Sequence, residues 1–180
     1  MINVDRLSSR SRYLLNSLII VGSVLICCFL SLTRLPGMEI LGIGPDWLLI
    51  WLVTWSVKRS VFQGVSAGLI LGLLQDGLTS PYPSHVTVLV VVGFLTARFH
   101  KQRYIKEELI AVVLIVFLMT LLAEMLLAVQ HWGRRQTSIE DFWLDYQRIA
   151  LASALLTSLW TPAIYYPLHQ WWKNLNAVDS

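Results

Sequence analysis

The sequence predicts an all-α integral membrane protein with six transmembrane helices and with both termini in the cytoplasm. Hydrophobic residues make up 56% of the 180 residues and charged residues only 14%, whereas about 25% of a soluble domain is charged. Apolar segments recur along the chain, and the lysines and arginines concentrate in alternate connections between them. Because no Pro- or Ser-rich linker separates the segments, we expect residues 1–180 to form a single polytopic membrane domain.

Six segments are apolar enough to be membrane spans. They are residues 13–32, 45–57, 61–75, 84–99, 105–130 and 148–168. A helix needs about 20 apolar residues to cross a bilayer, and the first, fifth and sixth segments reach that length. The other three are shorter, so we expect either local thinning of the bilayer around them or burial among the longer helices.

The distribution of basic residues predicts the orientation, because cytoplasmic loops of membrane proteins are enriched in lysine and arginine. With the N-terminus inside, ten of the fourteen basic residues fall on the cytoplasmic side and the other four fall outside. The inner ones are Arg6, Arg10, Arg12, Lys58, Arg59, Arg98, Lys101, Arg103, Lys106 and Lys173. The outer ones are Arg34, Arg134, Arg135 and Arg148.

The second span begins at a proline and carries a tryptophan at every fourth position. Pro45 suits the first turn of a helix, where its missing N–H would have no partner. Trp47, Trp51 and Trp55 share one helix face because their spacing is four. This pattern favours bulky packing and an aromatic belt at the interface.

The third span carries glycines at the same spacing. Gly64, Gly68 and Gly72 lie on one helix face, and small residues at this spacing let another membrane helix approach closely. They are candidates for helix packing or partner binding. The span ends near Asp76, which we interpret either as a cap for the following turn or as a solvated residue that could contact a partner.

Glu124 lies within the fifth span, where a carboxylate is costly unless it pairs, is protonated or reaches the interface. It is therefore either a functional group or a side chain that extends to the outer surface. Its candidate hydrogen-bond partners are Ser153 and Thr157 at similar depth in the sixth span. With Thr161, these two residues form a small, weakly polar face that suits helix contact.

A short amphipathic helix is predicted outside the membrane at about residues 138–147. Ile139, Phe142, Trp143 and Tyr146 follow the spacing of one helix face. Such a helix either lies on the outer membrane surface or binds a partner. Phe142, Trp143 and Tyr146 are therefore candidates for partner contact.

The sequence contains no pattern typical of an enzyme or a metal site. Cys27 and Cys28 are adjacent and cannot form a disulfide with each other. The four histidines lack the spacing of metal ligands. No phosphate-binding loop or nucleophile motif occurs. We therefore expect no catalytic residue, no cofactor, no metal and no nucleic-acid partner.

Residues 45–103 resemble the MreD family of rod shape-determining proteins. The resemblance rests on a proline-led span, GPDWLLIWLVTWSV, and on GVSAGLILGLLQDGLTSPYPSH, in which a glycine-spaced span ends in Gly-Leu-x-x-Asp at Asp76. An apolar run that ends in ARFHKQR follows. The motif is loose, and Ser84-His85 stands where the family pattern suggests a glycine.

The resemblance implies a non-catalytic, multi-pass subunit of the bacterial inner (plasma) membrane that maintains cell shape as part of the elongation complex for peptidoglycan synthesis. It implies MreC as the direct partner, and MreB, RodA and a class B penicillin-binding protein as indirect ones. It also implies a six-helix fold like that of the substrate-binding subunits of energy-coupling factor transporters.

Two other functions stay open at the level of the sequence. The first is a small-molecule (vitamin-type) substrate-binding subunit of a membrane transporter, and the second is an assembly factor unrelated to cell shape. A transport subunit needs polar groups that converge in a pocket near the outer face. The candidates for such groups are Asp76, Glu124, Gln130 and the Ser/Thr face of the sixth span.

Overall fold

The computed structural model describes residues 9–33, 37–39, 42–79, 82–100, 109–132 and 139–179. These residues form six α-helices: α1 (Ser9–Leu32), α2 (Trp47–Ser56), α3 (Val61–Leu78), α4 (His85–His100), α5 (Leu109–Trp132) and α6 (Ile139–Asp179). The all-helical prediction is confirmed. Four of the helices hold stretches long and apolar enough to cross a membrane: Arg12–Leu32, Val61–Leu78, Leu109–Trp132 and Tyr146–Lys173.

The shortest of the six, α2, is the centre of the core. Nine of its ten residues are buried, and it packs against each of the other five helices. A helix that is apolar on every face is stable only when it is buried on every face. The short second segment is therefore buried among longer helices. This was one of the two alternatives predicted for it, the other being local thinning of the bilayer.

The tryptophans of α2 pack inside the bundle. The ring centroids of Trp47 and Trp160 are 5.5 Å apart, and the indole N–H of Trp51 donates to Ser23 Oγ of α1 at 2.8 Å. Trp47 and Trp51 are buried and are therefore packing residues. Trp55, the third tryptophan of α2, is partly buried, stacks on Trp51 and lies under the guanidinium of Arg59. The bond to Ser23 fixes α1, which is otherwise mostly exposed.

The glycines of α3 pack against α4, so the predicted seam lies inside this chain. A Cβ atom at Gly64 would lie 2.5 Å from the carbonyl oxygen of Gly93 and 3.0 Å from Ala97 Cβ. Gly68 meets the backbone of Leu89 in the same way, and Gly72 meets the backbone of Val86. The glycines are buried within the α3–α4 pair and are not exposed for a separate partner.

The largest difference from the sequence prediction is α6, a continuous helix of 41 residues. The separate outer helix predicted at residues 138–147 is wrong, because the chain continues without a break into the last span. Neither Gly nor Pro occurs from Ile139 to Thr161, so nothing interrupts the helical hydrogen bonds there. At 1.5 Å per residue, α6 is about 60 Å long, about twice the thickness of the hydrocarbon core.

Candidate functional site

Polar side chains cluster at one end of the bundle, which we call the Asp46 end. Here α1, α3 and α5 end, α2 and α4 begin, and the N-terminal half of α6 passes. The opposite end, which we call the Lys58 end, holds the α2–α3 connection. The groups at the Asp46 end come from distant parts of the sequence, so their arrangement follows from the order of the helices.

Asp76 joins the end of α3 to the start of α4. Its Oδ1 accepts hydrogen bonds from the backbone N–H of His85 at 2.7 Å and from His85 Nδ1 at 2.8 Å. Its Oδ2 accepts from Ser84 Oγ at 3.0 Å. The first N–H groups of a helix have no partner within the helix, and a carboxylate there also interacts favourably with the helix dipole. This geometry matches the capping alternative for Asp76.

Gln130 connects α5 to the same turn. Its Oε1 accepts from the backbone N–H of Ser84 at 2.8 Å, and its Nε2 donates to the Ser84 carbonyl at 3.2 Å. The hydroxyl of Tyr82 donates to the carbonyl of Gln130. Asp76 and Gln130 therefore hold the α3–α4 turn from two sides, and a turn held in this way fixes the wall of the site.

Asp46, which the sequence analysis did not single out, is the N-cap of α2. Its Oδ1 accepts from the backbone N–H of Leu49 at 3.1 Å, and its own backbone N–H donates to Thr157 Oγ1 of α6 at 3.1 Å. The Gln75 side chain lies close to the Asp46 carboxylate, and both line the same cavity. Pro45 thus precedes the cap and does not occupy the first helical turn. The sequence did contain a signal for this cap, because aspartate is a preferred N-cap residue and Asp46 directly precedes an apolar helix.

Glu124 lies close to the side chain of Ser153, and both residues line the same cavity. This placement matches the Ser153 half of the predicted pairing. Thr157, the other predicted partner, instead accepts the N–H of Asp46. The position of Glu124 beside Ser153 favours pairing over extension to the membrane surface.

A cavity of about 270 Å³ opens among these groups. Each of the six helices contributes a described residue to its wall, and the segment before α2 completes it. The polar residues of the wall are Ser31, Thr33, Glu39, Asp46, Gln75, Thr79, His85, Glu124 and Ser153. Of the groups that the sequence proposed for a pocket, Glu124 and Ser153 line it, whereas Asp76 and Gln130 hold the neighbouring turn.

The remaining candidates of the predicted outer helix are only partly described. The side chains of Phe142 and Trp143 lie outside the described residues, although their backbone belongs to α6. Tyr146 is half-buried and lies close enough to Glu124 to feel its charge. Part of the Tyr146 side chain is therefore directed towards the bundle, and its role in partner contact stays a prediction.

The histidines and cysteines take part in packing contacts. His169 lies at the Lys58 end, 3.3 Å from Lys58 Nζ and stacked on Tyr165. His131 meets the ring of Tyr82 edge-on. Cys27 and Cys28 are free thiols. Within the described part of the chain, no three His, Cys, Asp or Glu side chains are grouped as metal ligands.

Comparison with known proteins gives one match. The family model described as rod shape-determining protein MreD matches residues 11–167. Neither the curated proteins nor the solved structures contain a match to the chain. The matched range extends from α1 almost to the end of α6 and includes all the polar groups of the Asp46 end.

Proposed function

The chain belongs to the MreD family of rod shape-determining proteins, and from this we propose that it is a non-catalytic subunit of the bacterial elongation complex that binds MreC. The family match carries the proposal, because it covers most of the chain. The buried α2 and the glycine contacts of α3 with α4 also support it, since they suit a rigid scaffold.

We also propose that all six helices cross the inner membrane, with the Lys58 end in the cytoplasm. Two observations support this topology. The helices alternate in direction between the two ends. Of the described basic residues, Arg10, Arg12, Lys58, Arg59, Arg98 and Lys173 belong to the Lys58 end, whereas Arg148 lies in the N-terminal part of α6, at the Asp46 end. Lysine and arginine favour the cytoplasmic side. The likeness to substrate-binding subunits of energy-coupling factor transporters stays a prediction.

The first two turns of α6 are the proposed contact for MreC. A helix of about 60 Å exceeds the membrane core, so part of it extends beyond the lipid. Phe142 and Trp143 lie in this part of the sequence, and aromatic residues often dominate the energy of interfaces. Glu140, Asp141 and Asp145 add negative charge there, which favours a basic partner segment.

The experiment is a double substitution, Phe142→Ala with Trp143→Ala, in cells that depend on this chain for their rod shape. We expect normal accumulation in the membrane, weaker co-purification of MreC and rounded cells. Leu159→Ala is the control, because Leu159 is an exposed apolar residue on the same helix. Full recovery of MreC with rod-shaped cells would exclude these two residues from the contact.

A further inference from the structure

Three carboxylates, those of Glu39, Asp46 and Glu124, belong to the wall of the cavity at the Asp46 end. Asp46 comes from the cap of α2, and Glu124 comes from the inner side of α5. Asp46 and Glu124 lie close enough for their charges to repel each other. This repulsion is strong in a site of low dielectric constant, where like charges are screened less than in water.

The protein places neutral donors near both Asp46 and Glu124. Asp46 accepts from the N–H of Leu49 and lies close to the Gln75 side chain, and Glu124 lies close to Ser153. None of the described residues that line the cavity is a lysine or an arginine. His85 also lines the cavity and lies close enough to interact electrostatically with both carboxylates, but its Nδ1 and its backbone N–H bond to Asp76.

Carboxylates in such a site are strongly stabilised by a positive charge between them. Removing an ionised carboxylate from water costs several kcal/mol unless a partner compensates for the lost hydration. Hydrogen bonds from a cationic donor are roughly twice as strong as neutral ones. The arrangement of Asp46 and Glu124 therefore selects a group that carries both positive charge and N–H donors.

The volume of the cavity and its apolar wall residues indicate the size and the polarity of the ligand beyond its charged group. A volume of 270 Å³ corresponds to about nine water molecules at their share of liquid volume. Leu30, Met38, Trp47 and Leu127 supply apolar surface beside the carboxylates. This combination suits a short alkyl chain that ends in the charged group. No metal-binding group of three side chains exists in the described ranges, which favours an organic cation.

We propose that this cavity binds a primary ammonium or guanidinium group on a short alkyl chain, with Asp46 and Glu124 as its anionic partners. The chemistry is shared by a free small amine and by a lysine or arginine side chain of a bound protein. The binding site belongs to this chain alone, so its test does not depend on the proposed contact with MreC.

The test measures binding of cadaverine and agmatine to the full-length protein in nanodiscs of uncharged phosphatidylcholine, by calorimetry. The lipid is uncharged so that the amines do not adsorb to it. The matched neutral probe is 1,5-pentanediol, which replaces both ammonium groups of cadaverine by hydroxyls. We expect saturable binding of an amine that weakens with salt, because ion pairs are screened, and no saturable binding of the diol.

Two substitutions remove charge but keep a side chain that can form hydrogen bonds. Asp46→Asn retains an N-cap, since Asn caps helices as well as Asp does. Glu124→Gln retains a polar side chain beside Ser153. Each should raise Kd about tenfold or more, as expected for the loss of one charge-assisted bond, without changing the unfolding temperature. Ser158→Ala changes a partly buried residue of α6 whose hydroxyl donates to the Leu155 carbonyl and which does not line the cavity, so it should leave Kd unchanged.

A second arm identifies the source of the cation. If cadaverine no longer binds after the protein is isolated together with its membrane partner, the natural ligand is a basic side chain of that partner. Retained binding indicates a free small amine. The proposal is wrong if neither amine binds wild-type protein at millimolar concentration, or if the diol binds equally well. Binding that appears only in Arg34→Ala would also contradict it, since this chain's own arginine would then be the occupant.

Discussion

Substitution of Gly64 by alanine tests the close approach of α3 and α4. A Cβ atom at Gly64 would lie 2.5 Å from the Gly93 carbonyl oxygen, whereas ordinary van der Waals contact begins at 3.4 Å. The two backbones would have to separate by the difference of 0.9 Å, because neither a carbonyl group nor a helix axis can rotate away as a side chain can. Forced overpacking of this kind costs about 1 to 3 kcal/mol.

The matched control is Gly77→Ala in the same helix. A Cβ atom at Gly77 meets nothing within 4 Å, so this change adds a methyl group in open space. The gain in helix propensity, about 1 kcal/mol in water, is common to both variants and cancels in their difference. The expected difference in free energy of unfolding is therefore the overpacking term alone, about 1 to 3 kcal/mol.

The assay is reversible unfolding in mixed micelles, with helical circular dichroism as the signal. Gly64→Ala should unfold at a lower denaturant fraction than wild type, and Gly77→Ala should not. Gly68→Leu should be more severe, since Gly68 meets the backbone of Leu89 and leucine is larger. Equal stability of Gly64→Ala and Gly77→Ala would refute the account of the glycine seam.

Three further substitutions test the polar contacts of the bundle. Trp51→Phe should lower the free energy of unfolding by about 1 kcal/mol, because it removes the hydrogen bond to Ser23. Ser23→Ala should lower it by a similar amount. If the losses simply add in the double variant, the two side chains are not directly bonded. Asp76→Asn should lower the unfolding temperature much less than Asp76→Ala does, because Asn still caps α4. An equal decrease in both variants would exclude capping. Glu124→Gln should keep near-normal abundance while Glu124→Leu should not, since the position beside Ser153 favours a polar group; equal abundance in the membrane fraction would show that a polar side chain is dispensable there.

The packing of this protein is partly readable from spacing along the sequence. Three glycines four residues apart define a helix face wherever the helix lies, so the seam of α3 was predictable. Its partner was not, since the Gly93 backbone is brought opposite Gly64 only by the antiparallel pairing of α3 and α4. Likewise, Asp76 was visible at a helix end, but its bonds to His85 depend on the path of the turn.

The cavity was not predictable because its groups come from all six helices and a connecting segment. From the sequence alone, Asp46 is a possible N-cap like any other, and only the tertiary structure brings it near Glu124. The choice of Ser153 over Thr157 as the neighbour of Glu124 depends on where the N–H of Asp46 points. The sequence analysis placed Tyr146 on the outer face of a separate short helix. In the continuous α6, Tyr146 instead lies near Glu124.

Affinity purification of the wild-type chain in mild detergent tests the central claim most directly. As a member of the MreD family, the protein should recover MreC from membranes in which both are present at natural levels. Recovery should persist in Ser158→Ala, because Ser158 lies outside the proposed contact in the first two turns of α6. Recovery of transporter ATPase subunits in place of MreC, or of neither, would contradict the proposed role in the elongation complex.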